Sequence, residues 1–165
     1  MKKYEFTGET KEIRLLFRTA TLHRIRATVA FGIVEVGDLG GWIEKEENLS
    51  HEGKAWVWGN AEVCGDAKVW GNAKVCGDAK VFSASHVLVI GAIGSRNDFT
   101  TFYRDKDNEI TVKCGCFLGK IDRFLEKVTQ THGDSKYALV YRAAVEVAKL
   151  QIDLSGEAPK DADEE

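Results

Sequence analysis

The sequence predicts a mainly β protein, in which a short parallel β-helix lies between an N-terminal β cap and a small C-terminal α+β domain. Three observations predict it. Val recurs every six residues from Val57 to Val87, and each Val up to Val75 is followed two places on by Gly-Asn or Gly-Asp. Helical spacing of apolar residues begins only near Ile121. A six-residue repeat is too short for a helical hairpin or a propeller blade, so each unit must be one strand and one turn.

The N-terminal cap is predicted to span residues 1–48. Thr21–Ala27 alternates polar and apolar residues, which indicates a strand. Gly37–Ile43 is rich in turn residues and ends in Trp42 and Ile43, which we expect to cover the first coil of the repeat.

The repeat itself is predicted to span residues 49–93. The β-branched Val suits an inward position on a strand, and we expect the Ala four places on to point inward as well. Gly-Asn and Gly-Asp favour the positive φ of a tight corner. Three units make one coil of about 18 residues, and neighbouring coils stack at the inter-strand spacing of about 4.8 Å. Glu62 and Lys80 should therefore stack as an ion pair.

The repeat resembles the hexapeptide repeat of left-handed parallel β-helices, in which a small residue follows an aliphatic one four places on. The resemblance covers roughly residues 20 to 93 and includes the element Gly-Asp-Leu-Gly-Gly-Trp at 37–42. Small bacterial and phage proteins of this kind are often labelled transferases. The resemblance implies a left-handed β-helix, a homo-oligomer, with a trimer favoured, and an acyl-CoA-dependent acyltransferase as one possible activity.

Residues 94–152 are predicted to form the α+β domain. Two strands, Asp98–Arg104 and Glu109–Phe117, are joined by a turn at 105–108, and two helices follow, the second running to about Ile152. The order is ββαα. The tail at 153–165 holds six acidic residues and one Lys, and we expect it to be disordered.

Apolar residues beside the Val positions predict an interface. Trp58, Trp70, Phe82 and Leu88 directly follow repeat valines, where a solvated coil would carry polar residues. Either the C-terminal helices fold back over one face, or the chain self-associates through these residues. The sequence leaves both alternatives open.

The junction after the repeat is the predicted ligand site. Glycine amides, hydroxyls and one guanidinium suit an anion, and aromatic rings suit a base. The residues assigned to it are Ser95, Arg96, Asn97, Asp98, Thr100, Thr101 and Tyr103. The alternative is a purely structural junction between domains.

Catalysis and metal binding have weak support in the sequence. His86 projects outward in the repeat and is the alternative catalytic residue, a general base of an acyltransferase. Cys114 and Cys116, with His132, supply at most three ligands, and the two cysteines alternate like buried residues of a strand. We expect no metal and no cofactor.

Composition limits the class of partner. No apolar run approaches the length of a membrane span, and the N-terminus lacks the apolar region of a signal peptide. Without the acidic tail the chain is nearly neutral, so we expect no DNA or RNA partner. Four cysteines without a framework pattern indicate the cytoplasm.

The sequence thus predicts a non-catalytic, oligomeric binding protein. The phage resemblance suggests an inhibitor of host defence that sequesters a nucleotide-like signal or a defence protein.

Overall fold

The computed structural model describes residues 1–155 and is a mixed β structure with two helices. The strands of the described residues are β1 (Tyr4–Arg14), β2 (Thr19–Ala27), β3 (Leu39–Ile43), β4 (Trp56–Val57), β5 (Glu62–Val63), β6 (Lys74–Val75), β7 (Lys80–Val81), β8 (Val87–Ile93), β9 (Asp98–Arg104), β10 (Ile110–Cys114) and β11 (Phe117–Lys120). The helices are α1 (Ile121–His132) and α2 (Lys136–Gln151).

The strands form three separate sheets. The first has the order β1-β2-β3-β5-β7, the second β11-β10-β9-β8, and the third pairs β4 with β6. Pairing is antiparallel between β1, β2 and β3 and throughout the second sheet. Among the strands named above, parallel pairing joins β3 to β5, β5 to β7 and β4 to β6, each over two residues, and an isolated parallel bridge joins Leu49 to Val69.

The prediction of a mainly β, left-handed parallel β-helix solenoid is therefore wrong. Three sheets with mostly antiparallel pairing replace it, and two helices complete the fold. The physical reason is the shortness of the repeat strands. A glycine corner interrupts each unit from Val57 to Val75, and strands β4 to β7 are therefore only two residues long and make few ladder bonds. The long N-terminal hairpin and the C-terminal sheet supply most of the backbone pairing instead.

Several local predictions about the repeat hold. Val57, Val63, Val69, Val75 and Val81 are completely buried, and so are the Ala residues between them, apart from 1% exposure at Ala67. Gly59, Gly65, Gly71 and Gly77 all have φ between 62° and 67°, the left-handed corner conformation. Glu62 pairs with Lys80 across β5 and β7, and the carboxylate Oε1 lies 2.8 Å from the ammonium Nζ.

The start of the repeat differs from its predicted frame. Leu49 forms a parallel bridge with Val69, which is 20 residues further along the chain rather than the 18 of one predicted coil. His51 stacks on Tyr4 with 4.1 Å between ring centroids and accepts a hydrogen bond from Lys3 N. A 3-10 turn at Glu46–Asn48 directs the chain into this altered register.

The predicted N-terminal strand at Thr21–Ala27 is confirmed as part of β2, whereas the turn-rich segment is largely strand β3. Ile43 packs into the same core as the repeat valines. Trp42 lies in a smaller core under the β1–β2 hairpin, where the Lys11 ammonium sits 4.5 Å from its ring centroid. The two faces of β3 therefore contribute to two different cores: Ile43 packs on the repeat core, and Trp42 packs under the hairpin.

The second sheet separates the repeat from the helices. Val87, Val89 and Tyr103 contact the repeat core, whereas Leu88 and Phe102 belong to the core under the helices. This division follows from the alternation of side chains along β8 and β9. The predicted strand Asp98–Arg104 is confirmed as β9, but the ββαα order misses β11 and the pairing of β8 with β9.

The end of the described chain is fixed by backbone contacts. Asp153 N donates to Ser85 O at 3.0 Å, and Asn108 Nδ2 donates to Leu154 O at 3.0 Å. The rest of the predicted disordered tail, residues 156–165, lies outside the described residues. In the part of the chain that the structure describes, neither helix has the length and apolarity to cross a bilayer.

Candidate functional site

A cavity of about 140 Å³ lies where the ends of the second sheet meet the two helices. The turn between β8 and β9 and the turn between β10 and β11 form one side, and α1 and α2 form the other. It is lined by Ile93, Ser95, Arg96, Asp98, Thr100, Cys114, Gly115, Cys116, Phe117, Phe124, Lys127, Val128, Thr131, His132 and Tyr141. Its volume is close to that of the engineered apolar cavity of about 150 Å³ that accepts benzene. The enclosed part therefore has room for one aromatic ring.

The mouth of the cavity carries two exposed cations, Arg96 and Lys127. Among residues 1–155, no carboxylate lies within ion-pair distance of either. Gly115 makes room for the guanidinium, because a Cβ there would lie 2.7 Å from Arg96 Nη1. Asp98 also lines the cavity, and its Oδ1 accepts a hydrogen bond from Phe99 N at 2.7 Å. The mouth is therefore positive by about one charge when His132 is neutral.

The interior of the cavity is aromatic. The rings of Phe117 and Phe124 are 5.4 Å apart, and Phe124 meets Tyr141 edge to face at 5.7 Å. His132 stacks on the other side of Tyr141, also with 5.7 Å between centroids. These are the distances at which aromatic pairs attract. Helical spacing places Phe124 and Val128 on the inner face of α1, and the antiparallel α2 brings Tyr141 opposite them.

Two hydroxyls and a thiol form the polar part of the interior. Thr100 Oγ1 donates to Cys114 Sγ at 3.5 Å. Burial, followed by the proximity of Cys114, raises the pKa of the Tyr141 hydroxyl. Gly94 gives this hydroxyl its space, because a Cβ at Gly94 would overlap it. The Tyr141 hydroxyl is therefore neutral near pH 7 and able both to donate and to accept.

Four of the seven residues predicted to bind a ligand line this cavity: Ser95, Arg96, Asp98 and Thr100. Asn97 occupies the adjacent turn with φ of 49° and does not line it. Thr101 and Tyr103 face the repeat instead. Thr101 Oγ1 accepts from Lys74 N at 3.0 Å, and the Tyr103 hydroxyl bonds the backbone of Cys76. Odd and even residues of β9 point to opposite faces, so one strand cannot aim all of them at one ligand.

The residues predicted as an interface lie mostly against their own chain. Trp58 packs on the repeat core, Leu88 packs under the helices, and Phe82 lies 4.9 Å beneath the Arg104 guanidinium. Trp70 alone among these four has a mainly exposed side chain, at 53%. The first alternative, cover by the C-terminal helices, therefore accounts for Leu88 alone among the four, whereas Trp58 and Phe82 are covered by other parts of the chain.

His86, the alternative catalytic residue, is half-buried and lies outside the cavity. Its Nδ1 accepts a hydrogen bond from Phe82 N at 3.0 Å, and burial lowers its pKa to about 4. Cys114, Cys116 and His132 do line the same cavity. Nevertheless, no cluster of three or more metal-ligating residues was found in the described part of the chain.

Sequence reasoning assigned four of the fifteen lining residues to a ligand site and missed, above all, Lys127 and Tyr141. The helical spacing of Phe124, Val128 and Tyr141 predicts buried core positions and does not by itself indicate a cavity. Lys127 occupies a charged helix face that looks ordinary in the sequence. Nothing in the sequence indicates that α1 packs beside the turn that carries Arg96, because this contact depends on tertiary packing.

No model of a known protein family matches the chain, and a comparison with curated proteins finds no similar sequence. The function therefore has to be argued from the cavity.

Proposed function

We propose that the protein binds a small molecule that has one aromatic ring and an acidic group. The observation that carries this proposal is the pair of exposed cations, Arg96 and Lys127, at the mouth of an aromatic cavity. A ring entering the cavity would contact Phe117, Phe124 and Tyr141. Its carboxylate or phosphate would remain at the mouth, where a guanidinium can bind two oxygens at once.

The nucleotide-like ligand expected from the sequence fits this proposal in one orientation. The base enters the cavity, and the sugar and phosphate extend to the mouth. The Tyr141 hydroxyl then supplies a hydrogen bond to a ring nitrogen or carbonyl. Since about 140 Å³ accommodates one ring, a pyrimidine is favoured over a purine.

The proposed activity is binding without turnover. The two cations at the mouth and the aromatic rings inside the cavity can hold an aromatic anion without reacting with it. Sequestration of a defence signal, the role suggested by the phage resemblance, is compatible with such a site and stays a hypothesis. The four free cysteines fit a reducing cytoplasm as the location.

Isothermal titration calorimetry can test the proposal with three probes: inorganic phosphate, uridine and uridine monophosphate. We expect the monophosphate to bind more tightly than either fragment, since only it reaches both the rings and the cations. Arg96→Ala and Lys127→Ala should each weaken that binding by about 10-fold or more, as for the loss of a charge-assisted contact.

Arg123→Ala is the matched control, because Arg123 lies on the same helix as Lys127 and does not line the cavity. It should leave the affinity unchanged. Equal effects of Arg123→Ala and Arg96→Ala would mean that the anion is attracted by general charge, and the proposal would be wrong. Native mass spectrometry of the purified protein would then be needed to find any retained molecule.

A further inference from the structure

Helix α2 has two apolar faces, and the structure covers one of them. The inner face, which includes Ala138, Tyr141, Val145 and Ala148, is buried against the second sheet and α1. On the opposite side, Leu139 is 61% exposed, Val147 is 46% exposed and Leu150 is 89% exposed, with exposed Ala143 between them. Spacings of four, four and three residues place these four side chains along one stripe.

The neighbouring helix α1 shows what a solvated face looks like in this protein. Its exposed positions are charged or polar, including Asp122, Arg123, Glu126 and Gln130. A surface helix with an apolar stripe on its solvent side is normally covered by something else. The stripe on α2 is therefore unlike the rest of the helical surface.

The remaining tail of the chain is a poor cover for this stripe. Residues 156–165 contain no Leu, Ile, Val, Met or aromatic residue, and their apolar side chains are Ala158, Pro159 and Ala162. Such a segment cannot fill the spaces around Leu139 and Leu150 with large apolar groups. It is also strongly acidic, which favours contact with water.

We propose that the stripe is a homodimer contact, in which α2 packs antiparallel against α2 of a second copy. The stripe is nearly symmetric about its middle: Leu139 and Leu150 lie at its ends, and the smaller Ala143 and Val147 lie between them. With a rise of 1.5 Å per residue, the two leucines are separated by about 16 Å along the axis. A two-fold axis near the centre of the helix places Leu139 of one copy beside Leu150 of the other. The small central residues permit close approach of the two backbones.

Charge complementarity supports the antiparallel arrangement over a parallel one. Glu146 borders the stripe with 71% of its side chain accessible, and its Oε1 lies 3.6 Å from Lys149 Nζ in an exposed i,i+3 pair that leaves the second carboxylate oxygen available. In the antiparallel arrangement it lies on the same side as Arg142 of the second copy and at nearly the same height. The reverse pair forms by symmetry. In a parallel two-fold arrangement the two Glu146 side chains would instead lie on opposite sides of the contact, and neither would meet Arg142 of the second copy.

Arg142 can make this contact without losing its own. Within the chain its Nη2 donates to Gly133 O at 3.0 Å and to Thr129 Oγ1 at 3.3 Å, and its Nη1 lies 3.8 Å from the fully exposed Asp134 carboxylate. A guanidinium has five N–H donors, so others are available to a partner carboxylate.

Sedimentation velocity across a wide concentration range tests the proposal on the full chain. We expect wild type to be dimeric, and Leu139→Glu and Leu150→Glu each to raise the dimer Kd by about 100-fold or more, since each buries a charge in the contact. Glu146→Arg should raise it by about 10-fold, because it places two Arg residues opposite each other. These side chains are exposed in the monomer, so circular dichroism should not change, and urea midpoints should not change when they are measured at concentrations at which wild type is monomeric.

Two matched controls decide the location of the contact. Phe17→Glu makes the same kind of change at a loop position that is 94% exposed, and Glu126→Arg repeats the charge reversal on α1. Both should leave the dimer intact. The proposal is overturned if wild type remains monomeric, if Leu139→Glu remains as dimeric as wild type, or if Trp70→Glu dissociates the oligomer while Leu139→Glu does not.

Discussion

Asn48 is the polar side chain on which we expect the register of the repeat to depend most strongly. It is completely buried, and its side-chain amide makes three hydrogen bonds to backbone. Nδ2 donates to Gly65 O at 3.1 Å and to Ala67 O at 2.9 Å, and Oδ1 accepts from Lys45 N at 2.9 Å. These bonds join the end of the cap to the first turns of the repeat.

Replacing Asn48 with Asp changes no volume but removes both donors. Two lost hydrogen bonds cost about 2 kcal/mol together. In addition, a buried carboxylate would face two carbonyl oxygens, which adds a desolvation and repulsion penalty of at least about 2 kcal/mol. We therefore expect Asn48→Asp to lower the free energy of unfolding by at least about 4 kcal/mol at pH 7, a large share of the usual 5–15 kcal/mol.

Urea unfolding followed by tryptophan fluorescence measures this change. Asn60→Asp is the matched control, because Asn60 is exposed in a Gly-Asn corner of the repeat and should shift stability by less than about 0.5 kcal/mol. The loss at Asn48 should also shrink at pH 4, where the carboxyl group gains a proton. Equal effects of the two substitutions at pH 7 would refute the reasoning.

Three further predictions concern packing and charge. Gly40→Ala should destabilise by about 1–3 kcal/mol in thermal unfolding, because its Cβ would lie 2.7 Å from Trp56 Cζ2; no loss would mean that the ring can move away. Glu62→Gln should cost about 3 kcal/mol in urea, because it removes a buried carboxylate that contacts the ammonium groups of both Lys80 and Lys11, at 2.8 Å and 2.7 Å. The double variant Glu62→Leu with Lys80→Met should recover most of it, since the Lys11 side chain is 31% exposed and reaches water. The pKa of His86 is lowered from 6.5 to about 4, so the unfolded chain binds the extra proton and stability should fall as pH decreases through this window. His86→Asn should reduce that fall by on the order of 1–2 kcal/mol, and an unchanged pH profile would contradict the assignment.

The sequence predicted the interior of the repeat well and its surroundings less well. The burial of Val57 through Val81 and the positive φ of the corner glycines follow from residue chemistry within each unit. The overall fold class was wrong because sheet membership depends on which distant strands meet. Nothing local in Val87–Ile93 indicates that it pairs with Asp98–Arg104.

The candidate site shows the same division. Ser95, Arg96, Asp98 and Thr100 come from one continuous segment, and that segment stands out in the sequence. Lys127 on α1 becomes part of the site only when α1 packs across the second sheet, some thirty residues later in the chain. Separate segments of a chain can form one cavity only through tertiary contacts.

By itself, the sequence determined the six-residue rhythm, the inward Val and Ala, the left-handed glycine corners and the Glu62–Lys80 pair. Each of these depends on backbone conformation or on a fixed spacing along the chain. Tertiary structure alone decided that the strands divide into three mostly antiparallel sheets, that Arg96 and Lys127 share one aromatic cavity, and that one apolar side of α2 is buried within the described chain while the other is exposed. These features depend on which surfaces are buried against one another, and burial is a property of the folded chain as a whole.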